Sequence, residues 1–292
     1  MTGGAGFIGS HLSQYLLDSG HEVTVLDDLS SGKKEYVPKG AAFWNIACQD
    51  LPYTVFERKF DFCFHLASTV GVSKVLADPK KCISNILDST RAVLNLDCPG
   101  INFSTSEVYG KNLAVLSEKS DCVLSGLTRW SYAAAKLSAE WCAIQSGWKS
   151  VRLFNVIGPR QNLGYGAVFP TFVSQALSDS PITVHGDGSQ VRTFIDVRDC
   201  VEILTQLMDK KFEVVNIGGP YVMSVYELAK DIKVSLNSKS EIRFVEYPRN
   251  KGFEECQQRI PDLSLLSSLI GKFKYRVFSD TVEAMYEVRQ TV

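Results

Sequence analysis

Gly3-Gly4-Ala5-Gly6-Phe7-Ile8-Gly9 stands close to the start of the sequence, with glycine at every third position. Residues 10–20 continue with helical periodicity and end on glycine, and residues 22–26 form an apolar, β-branched run typical of a buried parallel strand. Glycines admit a pyrophosphate close to the backbone, and the N-terminus of the following helix stabilises its charge. The order of glycine turn, helix and strand therefore predicts the second half of a dinucleotide-binding βαβ unit.

An acidic pair closes this unit. Asp27 and Asp28 follow the strand about 20 residues after the glycines, where an acid accepts hydrogen bonds from the adenosine ribose. Asp27 is the predicted ligand and Asp28 the alternative. Because a 2′-phosphate would meet like charge here, the acid predicts NAD rather than NADP. The competing interpretation is a surface loop between strand and helix. The predicted cofactor contacts of the turn are Gly3, Gly6, Phe7, Ile8 and Gly9.

The first strand of the unit is unusually short, because only Met1 and Thr2 precede the glycines. Either the chain begins upstream of this sequence, or its sheet has a damaged centre. We favour the first, because a lost central strand leaves unpaired backbone groups on both of its neighbours.

The overall composition and charge exclude some kinds of partner and site. The 292 residues are 45% hydrophobic, carry a net charge of -1 and include 31 scattered basic residues. This argues against a nucleic-acid or membrane-surface partner. The eight cysteines show no C-x-x-C pair and no metal-ligand spacing, which predicts reduced thiols and no metal site. Since no apolar run has membrane-spanning length and no export leader is present, we expect a cytoplasmic protein.

Strands and helices alternate along the chain. Residues 60–67 predict a buried strand whose end, at Leu66 and Ala67, lets a dinucleotide pass over the sheet. Residues 79–96 predict a helix, and residues 101–103 and 151–155 predict further strands. This alternation predicts the α/β class with a doubly wound parallel sheet, the Rossmann fold.

We expect two interleaved units. Residues 1–155, with a return segment at about 190–217, form the predicted dinucleotide-binding domain. Residues 156–189 and 218–292 form a smaller C-terminal lobe for the substrate. Glycines and prolines cluster directly after Asn155, which places the first boundary there.

Tyr132 and Lys136 lie four positions apart in a strongly helical stretch, so both side chains share one helix face. An ammonium group one turn away stabilises a phenolate, as a general base requires. Alone, the pair favours an ordinary amphipathic helix. Ser104-Thr105-Ser106-Glu107, which lies between it and the glycine turn, makes the catalytic interpretation stronger.

These motifs, taken in order, carry a family resemblance: the glycine turn, His65-Leu66-Ala67, Ser104-Thr105-Ser106-Glu107-Val108-Tyr109-Gly110, Tyr132 with Lys136, Arg152-Leu153-Phe154-Asn155 with Gly158-Pro159-Arg160, and Gly186-Asp187-Gly188-Ser189-Gln190-Val191-Arg192. The chain resembles, over nearly its whole length, the extended short-chain dehydrogenases/reductases that act on nucleotide sugars. The resemblance implies tightly held NAD and oxidation of the sugar at C4. Tyr132 would remove the C4 hydroxyl proton, and Lys136 would lower the phenol's pKa and bind the nicotinamide ribose. Thr105, or alternatively Ser106, would hydrogen-bond the developing C4 oxygen.

The residues after Thr105 discriminate among the fates of the 4-keto sugar. Dehydratases of this family usually carry Asp-Glu there, whereas this chain has Ser106-Glu107, as the UDP-glucuronate decarboxylases do. Glu107 would position the sugar carboxylate or a proton-relaying water. The Tyr-Ala-Ala-Ala-Lys motif is not the acidic variant of many decarboxylases, and residues 161–170 resemble the epimerase branch more closely, so C4 epimerisation of a UDP-sugar is the alternative. A non-catalytic NAD- or nucleotide-sugar-binding protein is the alternative of another class.

The same resemblance implies substrate contacts and an assembly. Asn155, Arg192 and either Arg249 or Arg259 would contact the pyrophosphate or uridine. A salt bridge of Arg192 with Asp196 or Asp199 is its competing interpretation, and for Arg249 and Arg259 a structural ion pair competes equally. His65 is predicted to pack or to bond backbone rather than to act as a base, and His185 to lie on the surface. The helices near 80–97 and 128–146 pair two subunits in this family, which predicts a homodimer.

Overall fold

We describe a computed structural model of the chain over residues 1–163, 167–247 and 256–290. Its helices are α1 Phe7–Asp18, α2 Val72–Ala77, α3 Pro79–Val93, α4 Ser131–Gln145, α5 Val168–Leu177, α6 Val197–Gln206, α7 Val225–Ser235, α8 Ser264–Ile270 and α9 Phe278–Gln290. Its strands are β1 Thr24–Leu26, β2 Ala42–Trp44, β3 Cys63–His65, β4 Gly100–Thr105, β5 Val115–Leu116, β6 Lys149–Leu153, β7 Val156–Ile157, β8 Ile182–His185, β9 Val191–Asp196, β10 Val214–Ile217, β11 Tyr221–Ser224, β12 Ile242–Val245 and β13 Gln258–Pro261.

The main sheet is parallel throughout. Strands β3, β4, β6 and β10 pair in that order, and β1 pairs with β2. Thr2 joins the two parts, because it forms parallel bridges to Leu26 and to His65. Its N–H donates to the Phe64 carbonyl at 3.0 Å, and Leu26 donates to the Met1 carbonyl at 2.8 Å. The short segment before the glycines therefore supplies the pairing that both of its neighbours need.

Helices cover both faces of this sheet. Leu12 of α1 and Leu204 of α6 lie in an apolar core with the sheet on one face. Val93 of α3 and Ala143 of α4 lie in another core with Cys63 of β3. A parallel sheet buried on both faces is a doubly wound architecture, so the predicted α/β Rossmann class is confirmed.

A second unit follows the main sheet. Strand β9 pairs with β11, β7 and β13, and β13 also pairs with β5. Strands β8 and β12 pair beside α5, α7 and α9, which share an apolar core of their own. Within the predicted return segment, α6 and β10 pack with the main sheet, whereas β9 lies in the second one. The predicted domain limits at 155, 190 and 217 remain a prediction. No helix in the described part of the chain is long and apolar enough to cross a membrane.

His65 occupies the centre of a buried hydrogen-bond chain. Thr90 donates its hydroxyl proton to the Ile86 carbonyl at 2.8 Å, so its oxygen accepts from Nε2 of His65 at 3.2 Å. Nδ1 of His65 then accepts from the Thr2 hydroxyl at 2.8 Å, and Thr2 accepts from the Ala67 N–H. His65 is thus packed in the interior, as one of the two predicted alternatives has it, but it bonds side-chain hydroxyls rather than backbone, and this hydrogen-bond chain holds its neutral Nε2–H form.

We expect His65 to make the protein sensitive to acid. Burial, helped by the charge of Lys136, lowers the pKa of His65 from 6.5 to about 3. Because the pKa is lower in the folded protein, the unfolded state takes up the proton at a higher pH. The contribution of neutral His65 to folding stability is therefore complete above pH 6.5 and is lost as pH falls towards 3. Its slope is about 1.4 kcal/mol per pH unit. Urea unfolding of His65→Gln from pH 7 to 4 should show a shallower loss than the parent. Equal slopes would contradict this account.

Candidate active site

The glycine turn forms the floor of a cavity of about 1170 Å³. Gly3 has φ +68°, and a Cβ there would lie 2.7 Å from the Ala67 nitrogen. A Cβ at Gly9 would lie 2.2 Å from the Gly3 carbonyl oxygen. Both glycines are therefore required for the turn to pack against the end of β3. At Gly6 the nearest such contact is 3.2 Å, on the side where the turn borders the cavity.

Helix α1 begins in the wall of this cavity. Its N-cap is Gly6, no side chain caps it, and no acidic residue stands in its first turn. Phe7 and Ile8, in that first turn, line the cavity. The first N–H groups of a helix have no acceptor within the helix. An anion can accept their hydrogen bonds, and the positive end of the helix dipole attracts it. This end of the cavity therefore fits a pyrophosphate.

Asp27 lies at the end of β1, in the same cavity wall. Its carboxylate is buried and accepts the Ala5 N–H through Oδ2 and the Leu29 N–H through Oδ1, both at 2.9 Å. Burial raises the pKa of Asp27, and these two hydrogen bonds oppose the rise. Asp28 also lines the cavity but binds Ser30 instead. The fixed, buried carboxylate of Asp27 is the better acceptor for a ribose.

The predicted catalytic pair lies on α4, next to the end of β4. The Tyr132 phenol shares a hydrogen bond with the Thr105 side chain, and Thr105 also accepts the Glu107 N–H at 3.2 Å. Lys136 is buried and donates from Nζ to the Phe103 carbonyl at 2.8 Å. The structure thus brings Tyr132 and Thr105 into contact and places Lys136 against the backbone of the same strand.

These side chains have shifted pKa values. Burial raises the pKa of Tyr132, the charges of Glu107 and Cys82 raise it further, and the bond to Thr105 lowers it. Burial lowers the pKa of Lys136 to about 8, so its ammonium is largely charged at neutral pH. Tyr132 therefore needs additional positive charge nearby before it can act as a base at neutral pH.

Glu107 is held between two arginines. Arg259 contacts Oε1 through Nη1, and Nη1 of Arg129 lies 2.7 Å from Oε2. The arginine side chains are only 3% and 10% exposed, so solvent screens these pairs weakly. Burial alone would raise the pKa of Glu107, but the charges of Arg259 and Arg129 lower it to about 2. Glu107 is therefore a carboxylate at neutral pH and cannot supply a proton.

The remaining substrate candidates make other contacts. Asn155 has φ +29° and donates from Nδ2 to the Thr193 carbonyl at 2.9 Å. Arg192 donates to the Val191 carbonyl at 2.9 Å. The competing interpretation for Arg192 is a salt bridge with Asp196 or Asp199. Asp196 pairs instead with Arg198, and Asp199 with Arg276. Arg249 lies outside the described residues. Ser106 is buried behind Thr105, and His185 is exposed as predicted.

Cys82 lies against both the cavity and the catalytic pair. All the predicted cofactor contacts except Tyr132 and Lys136 line the cavity: Gly3, Gly6, Phe7, Ile8, Gly9, Asp27, Leu66 and Ala67. Cys82 of α3 also lines it, and Tyr132 packs against the small cluster that contains Cys82. The two parts of the site are therefore neighbours joined through α3.

Sequence reasoning missed Arg129. It stands three positions before Tyr132, in the turn that leads into α4, and that spacing was the available signal. It also missed the two cations over the Tyr36 ring at the cavity rim, Lys33 at 5.3 Å and Arg160 at 5.4 Å. Their meeting depends on loops that are far apart in the sequence, so no local pattern predicts it.

Comparisons with known proteins agree with this geometry. A family model described as the NAD dependent epimerase/dehydratase family matches residues 1–218. The UDP-N-acetyl-alpha-D-glucosaminuronate decarboxylase of Bacillus cytotoxicus is 36% identical, over 92% of this chain and 90% of its own length. The UDP-glucuronic acid decarboxylase 1 of Xenopus tropicalis is 32% identical, over 93% of this chain and 67% of its own. The crystal structure of UDP-glucose 4-epimerase from Thermotoga maritima with UDP-glucose superposes with a TM-score of 0.88 at 27% identity, covering 99% of this chain and 97% of that one.

The close approach at Gly9 gives a test of the cofactor site. In Gly9→Ala the new methyl group would overlap the Gly3 carbonyl, so the turn must move and the N–H groups of α1 lose their alignment. We expect a loss of about 2 kcal/mol in unfolding free energy and of most bound NAD. Gly126→Ala is the matched control, because a Cβ there meets nothing within 4 Å. Thermal unfolding and NAD content after gel filtration are the measurements, and a variant that keeps full NAD content would contradict this role.

Proposed function

The chain belongs to the NAD-dependent epimerase/dehydratase family, and we propose that it decarboxylates a UDP-linked hexuronate, converting UDP-glucuronate to UDP-xylose and CO₂. The observation that carries this proposal is the Arg259–Glu107 ion pair beside Thr105 and Tyr132. The pair supports the proposal because it connects a buried guanidinium, through Glu107, to the residues that would act at sugar C4. The C5 carboxylate of a hexuronate is adjacent to C4, so this is where its charge would be bound.

NAD is the cofactor of this enzyme. When bound, it accepts the hydride from C4 of the sugar and later returns it, and its positive ring favours ionisation of a nearby phenol. The turn at Gly3, Gly6 and Gly9 and the N-terminus of α1 would hold its pyrophosphate, and Asp27 would hold its adenosine ribose. These groups fit the cofactor because they combine a close-packed glycine floor, uncapped helix N–H groups and a fixed carboxylate in one cavity.

Tyr132 is the proposed base. Its phenolate takes the C4 hydroxyl proton as the C4–H bond breaks, and Thr105 donates a hydrogen bond to the oxygen that becomes the ketone. The charge of Lys136, one helical turn away, favours this phenolate once the site is loaded. Lys136 and Tyr132 share the α4 face that borders β4.

Arg259 is the proposed ligand of the substrate carboxylate. Its Nη1 contacts Glu107, whereas its buried Nε–H has no hydrogen-bond acceptor among the described residues. A buried donor without an acceptor is costly, and a carboxylate oxygen would satisfy it. In the 4-keto sugar the C5–CO₂ bond breaks, its electron pair moves into the ketone, and a proton from water is added at C5. Tyr132 then returns its proton to the C4 oxygen as the C–H bond at C4 re-forms.

Dehydration is disfavoured by the same cluster. Loss of a C6 hydroxyl needs an acid, but two arginines keep Glu107 ionised and Ser106 carries no acidic group. C4 epimerisation of a UDP-sugar is the alternative reaction, because it needs only Tyr132 and rotation of the keto sugar.

A second substrate, UDP-N-acetylglucosaminuronate, is also a candidate. The 36% identity to the Bacillus cytotoxicus decarboxylase supports it. Both substrates carry the C5 carboxylate that Arg259 would bind, so the reaction is the same and only the group at C2 differs. Asn155 and Arg192 remain proposed contacts of the nucleotide, because an amide and a guanidinium suit uridine and pyrophosphate.

We also propose a cytoplasmic homodimer. Helices α3 and α4 pack together and expose apolar side chains, with Ile83 36% and Trp141 58% exposed. A two-fold axis through this face would pack the same pair of helices from two subunits and cover both residues. No disulfide joins any of the eight cysteines, which fits a reducing compartment.

The reaction is tested by product analysis. With UDP-glucuronate we expect CO₂ and UDP-xylose, resolved by mass spectrometry and NMR, and UDP-N-acetylglucosaminuronate and UDP-glucose complete the panel. Tyr132→Phe should lower kcat by about 10³-fold without unfolding the protein, because the general base is lost. Tyr226→Phe, on the surface of α7, is the control and should keep full activity. Formation of only a C4-inverted sugar would replace decarboxylation by epimerisation.

The assembly has a separate test. Trp141→Glu places a charge in the centre of the proposed interface, so sedimentation velocity should change from a dimer to a monomer. Val234→Glu is the matched control, because Val234 is 77% exposed and lies on α7. A parent protein that sediments as a monomer would refute the dimer.

A further inference from the structure

We propose that Arg129 is a positioning residue for this reaction: its guanidinium holds Glu107 against Arg259 and offsets the carboxylate charge that faces Tyr132. The inference rests on the proposed function for the part played by Arg259, but the effect on Tyr132 applies to any reaction in which that phenol is the base. No motif in the sequence assigns a role to Arg129.

The position of Arg129 is fixed from two sides. It lies in the short turn Thr128–Trp130, directly before α4. Its guanidinium lies over the Trp130 ring at 4.6 Å, and Trp130 is only 1% exposed. Stacking on an aromatic face leaves the edge of a guanidinium available for a carboxylate, and here Nη1 reaches Oε2 of Glu107 at 2.7 Å. The buried ring therefore sets the direction in which Arg129 meets Glu107.

Glu107 is the link between the two arginines and the base. Arg129 faces its Oε2, Arg259 of β13 faces its Oε1, and its charge acts on Tyr132 of α4. An ionised carboxylate near a phenol opposes formation of the phenolate, because both carry negative charge. A cation on each oxygen weakens that repulsion. The site can therefore use Glu107 to orient Arg259 without suppressing the base.

Two further titratable groups lie near the phenol: the ammonium of Lys136, one turn away on α4, and a thiol on a different helix. Cys82 of α3 acts on both Tyr132 and Lys136, and burial raises its pKa, so it is a neutral thiol at neutral pH. Thr105 of β4 contributes a hydrogen bond only. Among the described groups that face Tyr132, Glu107 is thus the one that carries a full negative charge at neutral pH. Arg129 supplies one of the two positive charges that offset this negative charge.

The pH dependence of kcat tests this role. In Arg129→Gln, Glu107 loses one of its two cations, so the Tyr132 phenolate forms at higher pH. We expect the acidic limb of the kcat profile to move up by about 0.5 to 1 pH unit, and the rate on that limb to fall about 3- to 10-fold. KM should change less than kcat, and Arg129→Lys, which keeps the charge, should restore much of the rate. Arg243→Gln, at an exposed ion pair with Glu241, is the matched control.

Stability of the protein without substrate gives a second readout. The lowered pKa of Glu107 contributes stability above its ordinary value of 4.5, and this is lost as pH falls towards 2. Arg129→Gln should therefore be less stable than the parent at pH 7, and the gap should close below pH 4 in urea unfolding. An unmoved kcat profile in Arg129→Gln, whether or not the stability gap depends on pH, would reduce Arg129 to a packing residue and overturn the proposal.

Different results would refute the proposed decarboxylation and the proposed role of Arg129. If the parent forms only a C4-inverted sugar, decarboxylation is refuted, but the kcat profile of that epimerisation still tests Arg129. If CO₂ is released and the profile does not move in Arg129→Gln, only the role of Arg129 is refuted. Should the glutamine variant not fold, Arg129→Lys carries the comparison: because its charge is kept, its acidic limb and rate should stay close to those of the parent, and a kcat lowered equally at every pH would count against the proposal.

Discussion

The ion pair of Glu107 with Arg259 is the interaction on which the site depends. The two residues are 152 positions apart, one after β4 of the main sheet and the other on β13 of the second sheet. A half-buried carboxylate and a buried guanidinium both lose solvation, and removing one partner leaves the charge of the other uncompensated. The contact therefore fixes how the two sheets meet, and it sets the charge next to Tyr132.

The two halves of the site differ in their electrostatics. In the cofactor half, the glycine backbone and the uncapped start of α1 suit an anion, and Asp27 is a fixed acceptor in the same cavity. In the catalytic half, full charges are already present and must be balanced before a phenol can ionise. Burial opposes that ionisation, as the raised pKa of Tyr132 indicates. Because burial already opposes formation of the Tyr132 phenolate, the nearby negative charge of Glu107 must be balanced by arginines.

Long local patterns were predicted well, and short or bent elements were not. The helix predicted at 79–96 is α3, Pro79–Val93, and the strand predicted at 151–155 is β6, Lys149–Leu153. The strand predicted at 60–67 shortens to Cys63–His65, because its last residues turn under Gly3 to border the cavity. Two-residue strands such as β5 and β7 carry too little periodicity to be recognised, since their pairing is decided by partners distant in sequence.

The sequence by itself determined the glycine turn, the acid at the end of β1 and the helical spacing of Tyr132 and Lys136, because each follows from backbone geometry within a few residues. Only the tertiary structure decided that Thr2 bridges two strands, that His65 bonds two threonines and that Arg129 and Arg259 meet on Glu107. These contacts join side chains from different elements. Their energies depend on burial and on the charge that surrounds them, which local sequence does not specify.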